Sequence, residues 1–179
     1  TQIFMLITGV RKHDWYYTKT GEKPLNVPSL LDETFYLNHG ALLCQSFQAL
    51  TGRNLVTSEG HPSTIHALFD APFALVSHGT ETDPVFNFAN RTALSLFEFS
   101  WKDFICLPSR CSAEPVHQEE RERLLKEVTE QGYIRNYSGI RVASSGQRFR
   151  IEKALVWNLI DPEGHYHGQA ALFDHWTFL

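Results

Sequence analysis

The run His165-Tyr-His167, with His175 further along, places imidazoles at even spacings near the end of the chain. Residues two apart in a strand share a face, and imidazole is a common metal ligand, so a metal site is the first chemistry to weigh. His167 and His175 are separated by about 26 Å of straight strand, too far for one ion. That leaves a His165/His167 pair, for which the simpler expectation is solvated or hydrogen-bonded strand histidines. Ser77-His78, followed by Glu81 and Asp83, holds the residue types of a serine nucleophile, its base and an acid. Neighbouring side chains in a strand point to opposite faces, however, and no Gly-x-Ser-x-Gly elbow surrounds the serine. Glu119, Glu120 and Glu122 could pair for acid–base work, but they crowd a helix start, where the dipole and solvent account for them. Cys44, Cys106 and Cys111 are odd in number and lack Cys-x-x-Cys spacing, which describes free thiols in a reducing, cytoplasmic setting. The expectation is no metal centre and no catalytic residue.

The chain that carries these residues is 179 long, 42% hydrophobic and 20% charged, far from the composition of disorder and enough for one core with an extension. A net charge of -4 offers no clustered cations to displace the counterions of a polyanion, so nucleic acid is not an expected partner. The apolar run Ile3–Ile7 is far shorter than the ~18 residues that span a bilayer, and no basic stretch precedes it as in a secretory signal. No membrane contact is expected.

Residues 1–28 mix aromatic residues, Lys, Gly and Pro without a period and read as an extension or arm. From Ser29, apolar residues at Leu31, Phe35, Leu42, Leu43, Phe47 and Leu50 end at Gly52, which predicts an amphipathic helix that Gly40 would bend or break. A short helix follows through Ala67-Leu-Phe69. Phe73–Val76 and Val85–Ala89 form a hairpin, and Asn90 caps a helix over Ala93–Phe97. Residues 100–114 suggest short helical turns. Pro115–Gln131 is a helix stopped by Gly132. The period then drops toward two over Tyr133–Val142, Phe149–Leu159 and Tyr166–Trp176, three sequential antiparallel strands, with Gly139 marking a bulge. The fold class is α+β: a five-stranded antiparallel sheet with helices on one face and an N-terminal helical extension. The expected divisions are 1–28 (arm), 29–60 (helix and linker) and 61–179 (core).

This order of elements, with the junction Phe86-Asn-Phe-Ala-Asn90-Arg-Thr-Ala93, resembles a PAS domain from Pro62 to Leu179. More narrowly, Ala71-Pro-Phe-Ala-Leu-Val-Ser-His-Gly79, Leu107-Pro-Ser-Arg110, Arg141-Val-Ala-Ser-Ser-Gly146, Phe149-Arg-Ile-Glu152, Val156-Trp-Asn158 and Tyr166-His-Gly-Gln169 resemble the MEKHLA family. The helix before the core extends that resemblance back to Leu30. It implies a PAS-like regulatory fold with ligand sensing or protein contact as its activity and no defined reaction. Some plant members end homeodomain-leucine-zipper transcription factors, but this chain carries neither homeodomain nor zipper, so their DNA binding is not transferred. Flavin photosensors of the PAS class resemble one another in a Gly-Arg-Asn-Cys stretch and a last-strand Gln. Here Cys106 lacks the preceding Arg-Asn, and Leu172 stands at the Gln position. Haem-binding relatives use a helical His, for which His117 is the candidate, in an acidic first turn. The cofactor is left unknown.

The remaining candidate is an apolar ligand pocket lined by Phe86 and Phe88 on one strand face, Leu155 and Trp157 on another, and Ala170 and Leu172 beside Gly168 on the last. A filled core is the alternative. Arg148, Arg150 and Glu152 are expected to pair across the exposed face, and Lys153 is either a strand-edge residue or a pocket charge. Together these features predict a cytoplasmic, non-catalytic PAS-like sensor that binds a small molecule or a protein partner in signalling or transcriptional regulation. The helix at 29–50 is its expected surface for a protein partner or homodimer, the alternative being that it covers its stripe on its own sheet. A small α+β cavity enzyme of isomerase or dehydratase type, and a purely structural protein–protein interaction domain, are the alternatives.

Overall fold

The computed structural model describes residues 28–179, apart from the side chains of 115–118. All but the last residue of the arm expected at 1–28 therefore lies outside the described residues. Helices α1 (Thr34–Thr51), α2 (Thr64–Phe69), α3 (Arg91–Phe97), α4 (Trp101–Phe104) and α5 (Pro115–Gln131) accompany strands β1 (Ala74–His78), β2 (Phe86–Ala89), β3 (Tyr133–Val142), β4 (Arg148–Ile160), β5 (Tyr166–Phe173) and β6 (His175–Phe178). The sheet runs β2-β1-β5-β4-β3, antiparallel throughout, and β6 also pairs with β4. Among the described residues, no helix is long and apolar enough to cross a membrane.

Two local irregularities decide what each face carries. In β2, Ser77 pairs with Phe88 while His78 pairs with Phe86, so Asn87 is an extra residue. A bulge of this kind turns the flanking side chains to opposite faces. In β4, Lys153 takes a left-handed φ of 53°, and the buried positions change parity across it, from Phe149 and Ile151 to Ala154 and Val156. The same bend breaks the expected last strand at Asp174: β5 follows Leu155–Ile160 of β4, and β6 follows Phe149–Glu152. The sheet thus has six strands where five were expected.

Helices occupy both faces, another departure from expectation. Leu124 and Val128 of α5 cluster with Val156 on one side. On the other, α1 lies over β4: Phe47 meets Trp157 edge to face at 5.7 Å, and the Trp157 indole N–H donates to Ser46 Oγ at 3.0 Å. Leu31 and Leu43 are fully buried in the same core as Trp157, Phe88 and Phe173. Leu31, Leu43 and Phe47 of the apolar stripe are therefore spent on the chain's own core, while Phe35 stays 54% exposed.

Gly40 neither bends nor breaks α1. A Cβ there would stand 2.9 Å from Cβ of Ile65, so the glycine lets α1 and α2 approach closely. The actual interruption is at Glu33, whose extended backbone separates a short 3-10 turn, Ser29–Asp32, from α1. Asn90 caps α3 as expected, accepting from Ala93 N, and it does more. Its Oδ1 also accepts from Leu75 N, and its Nδ2 donates to Phe73 O at 2.6 Å. One fully buried side chain thus joins the start of β1 to the start of α3.

Candidate functional site

Between the sheet and α5 lies a cavity of about 50 Å³. Val76 and His78 of β1, Phe86 of β2, Val156 of β4 and Gln169 and Ala171 of β5 form its floor. Arg121, Leu124 and Leu125 of α5, Phe97 of α3 and Tyr137 and Arg141 of β3 enclose it. At roughly 10–15 Å³ per water-sized site, it holds about four waters or a ligand of a few heavy atoms. A larger depression of about 370 Å³ at Glu127, Gln131, Tyr133, Ile134 and Arg135 is open to solvent.

Two acceptors face the cavity without partners. His78 Nδ1–H donates to Gly79 O at 2.9 Å, which fixes the tautomer and leaves Nε2 a buried, unpaired acceptor. Burial lowers the His78 pKa, opposed by the Gly79 carbonyl, assisted by Arg121, and opposed further by Glu81 and by the neighbouring Gln169 side chain. Gln169 Nε2 donates to Leu125 O and Thr129 Oγ1, both at 3.0 Å, so β5 is tied directly to α5. Its Oε1 is buried and unpaired. The third such atom among the described residues, Trp101 Nε1, lies elsewhere, among the rings of Tyr36, Phe69 and Phe88.

Two cations complete the wall. Arg121 and Arg141 are only 6% and 8% exposed. Arg121 Nη2 donates to Ser109 Oγ at 2.6 Å, and Arg141 donates to Ile140 O at 2.8 Å and to Tyr137 Oη at 3.2 Å. All these partners are neutral, and among the described residues no Asp or Glu lines the cavity. Burial first, then Arg141, draws the Arg121 pKa down to about 10, so it stays protonated at neutral pH. Asp83 and Glu122 attract it only from further out, and Asp83 is itself held by Arg110 at 3.0 Å. Gly139 makes the arrangement possible: a Cβ there would stand 2.2 Å from Tyr137 Oη and 3.0 Å from Arg141 Nη1.

Of the six expected pocket residues, Phe86 lines the cavity and Ala170 borders it. Phe88, Leu155, Trp157 and Leu172 do not. Register pairs Trp157 with Ala170 and Leu155 with Leu172, alternating with the cavity residues Val156 and Ala171, and Phe88 lies beside His39 of α1. The Asn87 bulge is why Phe86 and Phe88 do not share a face. Nor does Ser77 pair with His78: its hydroxyl donates to Asn87 Oδ1 at 2.6 Å, so the His39 Nε2–H at 2.8 Å must donate to Ser77 Oγ. That clasp holds α1 on the sheet and aims no basic lone pair at the serine. Burial first, then His167, lowers the His39 pKa to about 4.

His165 and His167 converge on Asp161 Oδ2 at 3.1 and 2.8 Å, and His167 above all holds that carboxyl well below the usual range. His175 contacts Asp174 instead. Among the described residues no three His, Cys, Asp or Glu side chains gather to hold a metal. Cys106 is exposed and lies outside the cavity lining, which includes Gln169 and not Leu172. The side chain of His117 is outside the described set, and Glu119, Glu120 and Glu122 are exposed. Arg148 pairs with Glu114 at 3.0 Å instead of across the sheet. Lys153 is exposed, so the buried cations are Arg121 and Arg141.

Comparison with known proteins agrees with this architecture. A light-oxygen-voltage domain studied with a flavin analogue matches 64% of this chain and 83% of its own, with a TM-score of 0.52 and 15% identity. A variant of Vivid matches 71% and 94%, with a TM-score of 0.50 and 15% identity. At that identity the likeness shows a shared fold alone. The homeobox-leucine zipper protein HOX29 of Oryza sativa subsp. indica is 28% identical over 145 residues, 76% of this chain but 16% of that protein. ATHB-14 of Arabidopsis thaliana, another homeobox-leucine zipper protein, is 27% identical over 145 residues, 76% of this chain and 17% of its own. The MEKHLA domain is matched over residues 37–178, and the chain accordingly belongs to the MEKHLA domain family.

Proposed function

We propose that this module reads a small molecule in the cavity under α5 and reports its presence to a protein partner. The observation that carries this reading is the conjunction of unfilled space with unpaired His78 Nε2 and Gln169 Oε1 on its floor. Buried polar atoms cost stability unless something satisfies them. Gln169 is also the link from β5 to α5, so a ligand on its Oε1 would shift the balance of contacts that dock the helix. The surface that answers would be α5.

The same site supports a non-catalytic role. Acid–base catalysis needs a paired acid and base in the cavity, and among the described residues no Asp or Glu lines it, Glu81 attracting His78 from outside the lining. The names of the relatives suggest transcriptional regulation as the setting, with DNA contact left to other parts of those proteins. Exposed free thiols at Cys106 and Cys111 favour a reducing cytoplasm. Because α1 shares the core of the sheet, residues 29–179 act as one unit. Native mass spectrometry of the purified chain beside its visible spectrum tests the reading. A co-purifying mass is expected; a clean apo mass, with no thermal shift across a panel of small organic molecules, would remove it.

A further inference from the structure

The cavity wall says more about the ligand than its volume does. Arg121 and Arg141 are both nearly buried, close enough to depress the ionisation of Arg121, and bonded only to neutral oxygens. Two buried guanidiniums with no carboxylate hydrogen-bonded to either repel one another and forgo solvation. Their planar forks match a carboxylate. His78 Nε2 and Gln169 Oε1 offer acceptors only, so they need a donor from the ligand. The rest of the wall is apolar, with Leu124, Val156 and Ala171, which suits a carbon skeleton better than inorganic phosphate.

Resting on the reading of the cavity as a ligand site, we infer that its ligand is a small hydroxycarboxylic acid. The carboxylate sits on Arg121 and Arg141, and the hydroxyl donates to His78 and Gln169.

The test uses thermal shift and calorimetric titration on the full chain with lactate, glycolate, acetate, lactamide and inorganic phosphate. Lactate or glycolate raises Tm by about 5 °C at a hundredfold excess over Kd. Acetate, lacking the hydroxyl, binds about tenfold more weakly, and the uncharged lactamide leaves Tm unmoved. Arg121→Met and Arg141→Met abolish the shift while remaining at least as thermostable as the unliganded parent, because each removes an unpaired buried charge. Lactamide binding as tightly as lactate, or phosphate binding more tightly, overturns the hydroxy-acid assignment and leaves the ligand cavity standing. No probe binding, with a clean apo mass and both variants less stable than the parent, overturns the assignment and the ligand-site reading together.

Discussion

On the α1 side of the sheet, Trp157 is 1% exposed with its indole N–H on Ser46, and His39, Ser77 and Asn87 form a closed donor chain. On the α5 side, alternate residues of the same strands line empty space with two unpaired acceptors and two cations. The α1 face follows the rule that buried polar groups find partners except at Trp101 Nε1, whereas the other face breaks it at two acceptors grouped around one cavity, which two buried cations also line. Local violations of folding logic concentrate where function is supported, and the stability to tolerate them comes from elsewhere. Here it comes from the opposite face of the same sheet.

The largest effect that would break this comparison is Trp157→Ala. It should destabilise the chain by about 3–5 kcal/mol, read by urea denaturation. Arg121→Met on the other face should cost nothing. Equal losses at the two positions would mean that both faces serve stability alike.

Acid should act on the α1 face next. The folded chain binds a proton at His39 only near pH 4, against an ordinary value of 6.5. Between those values the unfolded chain holds more protons, so the stabilisation is complete above 6.5 and is lost as pH falls toward 4. The loss reaches about 3 kcal/mol. His78 is lowered as well and acts in the same direction. His39→Gln, which keeps a donor for Ser77, should therefore flatten the decline of Tm between pH 7 and pH 5 without abolishing it. An unchanged profile would show that the clasp does not couple to folding.

These contrasts were only partly legible in the residues. Helix α5, bounded by Pro115 and Gly132, and strand β3 are where periodicity places them, because each has a long stripe and strong terminal signals. Strict period two puts Phe86 and Phe88 on one face because it has no place for the extra residue at Asn87, while Leu155 and Trp157 alternate with Val156 and so face away from the cavity. Arg121 was legible in principle, since it stands three and seven residues before Leu124 and Val128 on the buried stripe of α5. Crowding by exposed Glu119, Glu120 and Glu122 concealed it. Arg141 shares the parity of Tyr137 and Gly139, but only the close approach of Tyr137 Oη shows why that glycine is there. Its neighbours in space, not in sequence, give it meaning.

Gly139→Ala probes the cavity face with a smaller effect. The added methyl would meet Tyr137 Oη and Arg141 Nη1, so Tyr137 must swing away and Arg141 loses one acceptor. A cost of about 1 kcal/mol follows from the lost hydrogen bond, and ligand affinity should fall with it, read in the same titration. A loss of stability with affinity intact would separate Tyr137 and Arg141 from the site.

The smallest effect belongs to neither face. Asp161 holds His165 and His167 where both are substantially exposed, and water screens such pairs. Asp161→Asn keeps an oxygen for the His165 backbone N–H, which bonds Oδ1 at 2.7 Å, while removing the charge and putting an amide NH2 where Oδ2 meets the two imidazoles. Thermal denaturation at neutral pH should show no measurable change. A clear drop in Tm would mean that this exposed turn, through His167 and its electrostatic contact with His39, anchors the α1 face after all.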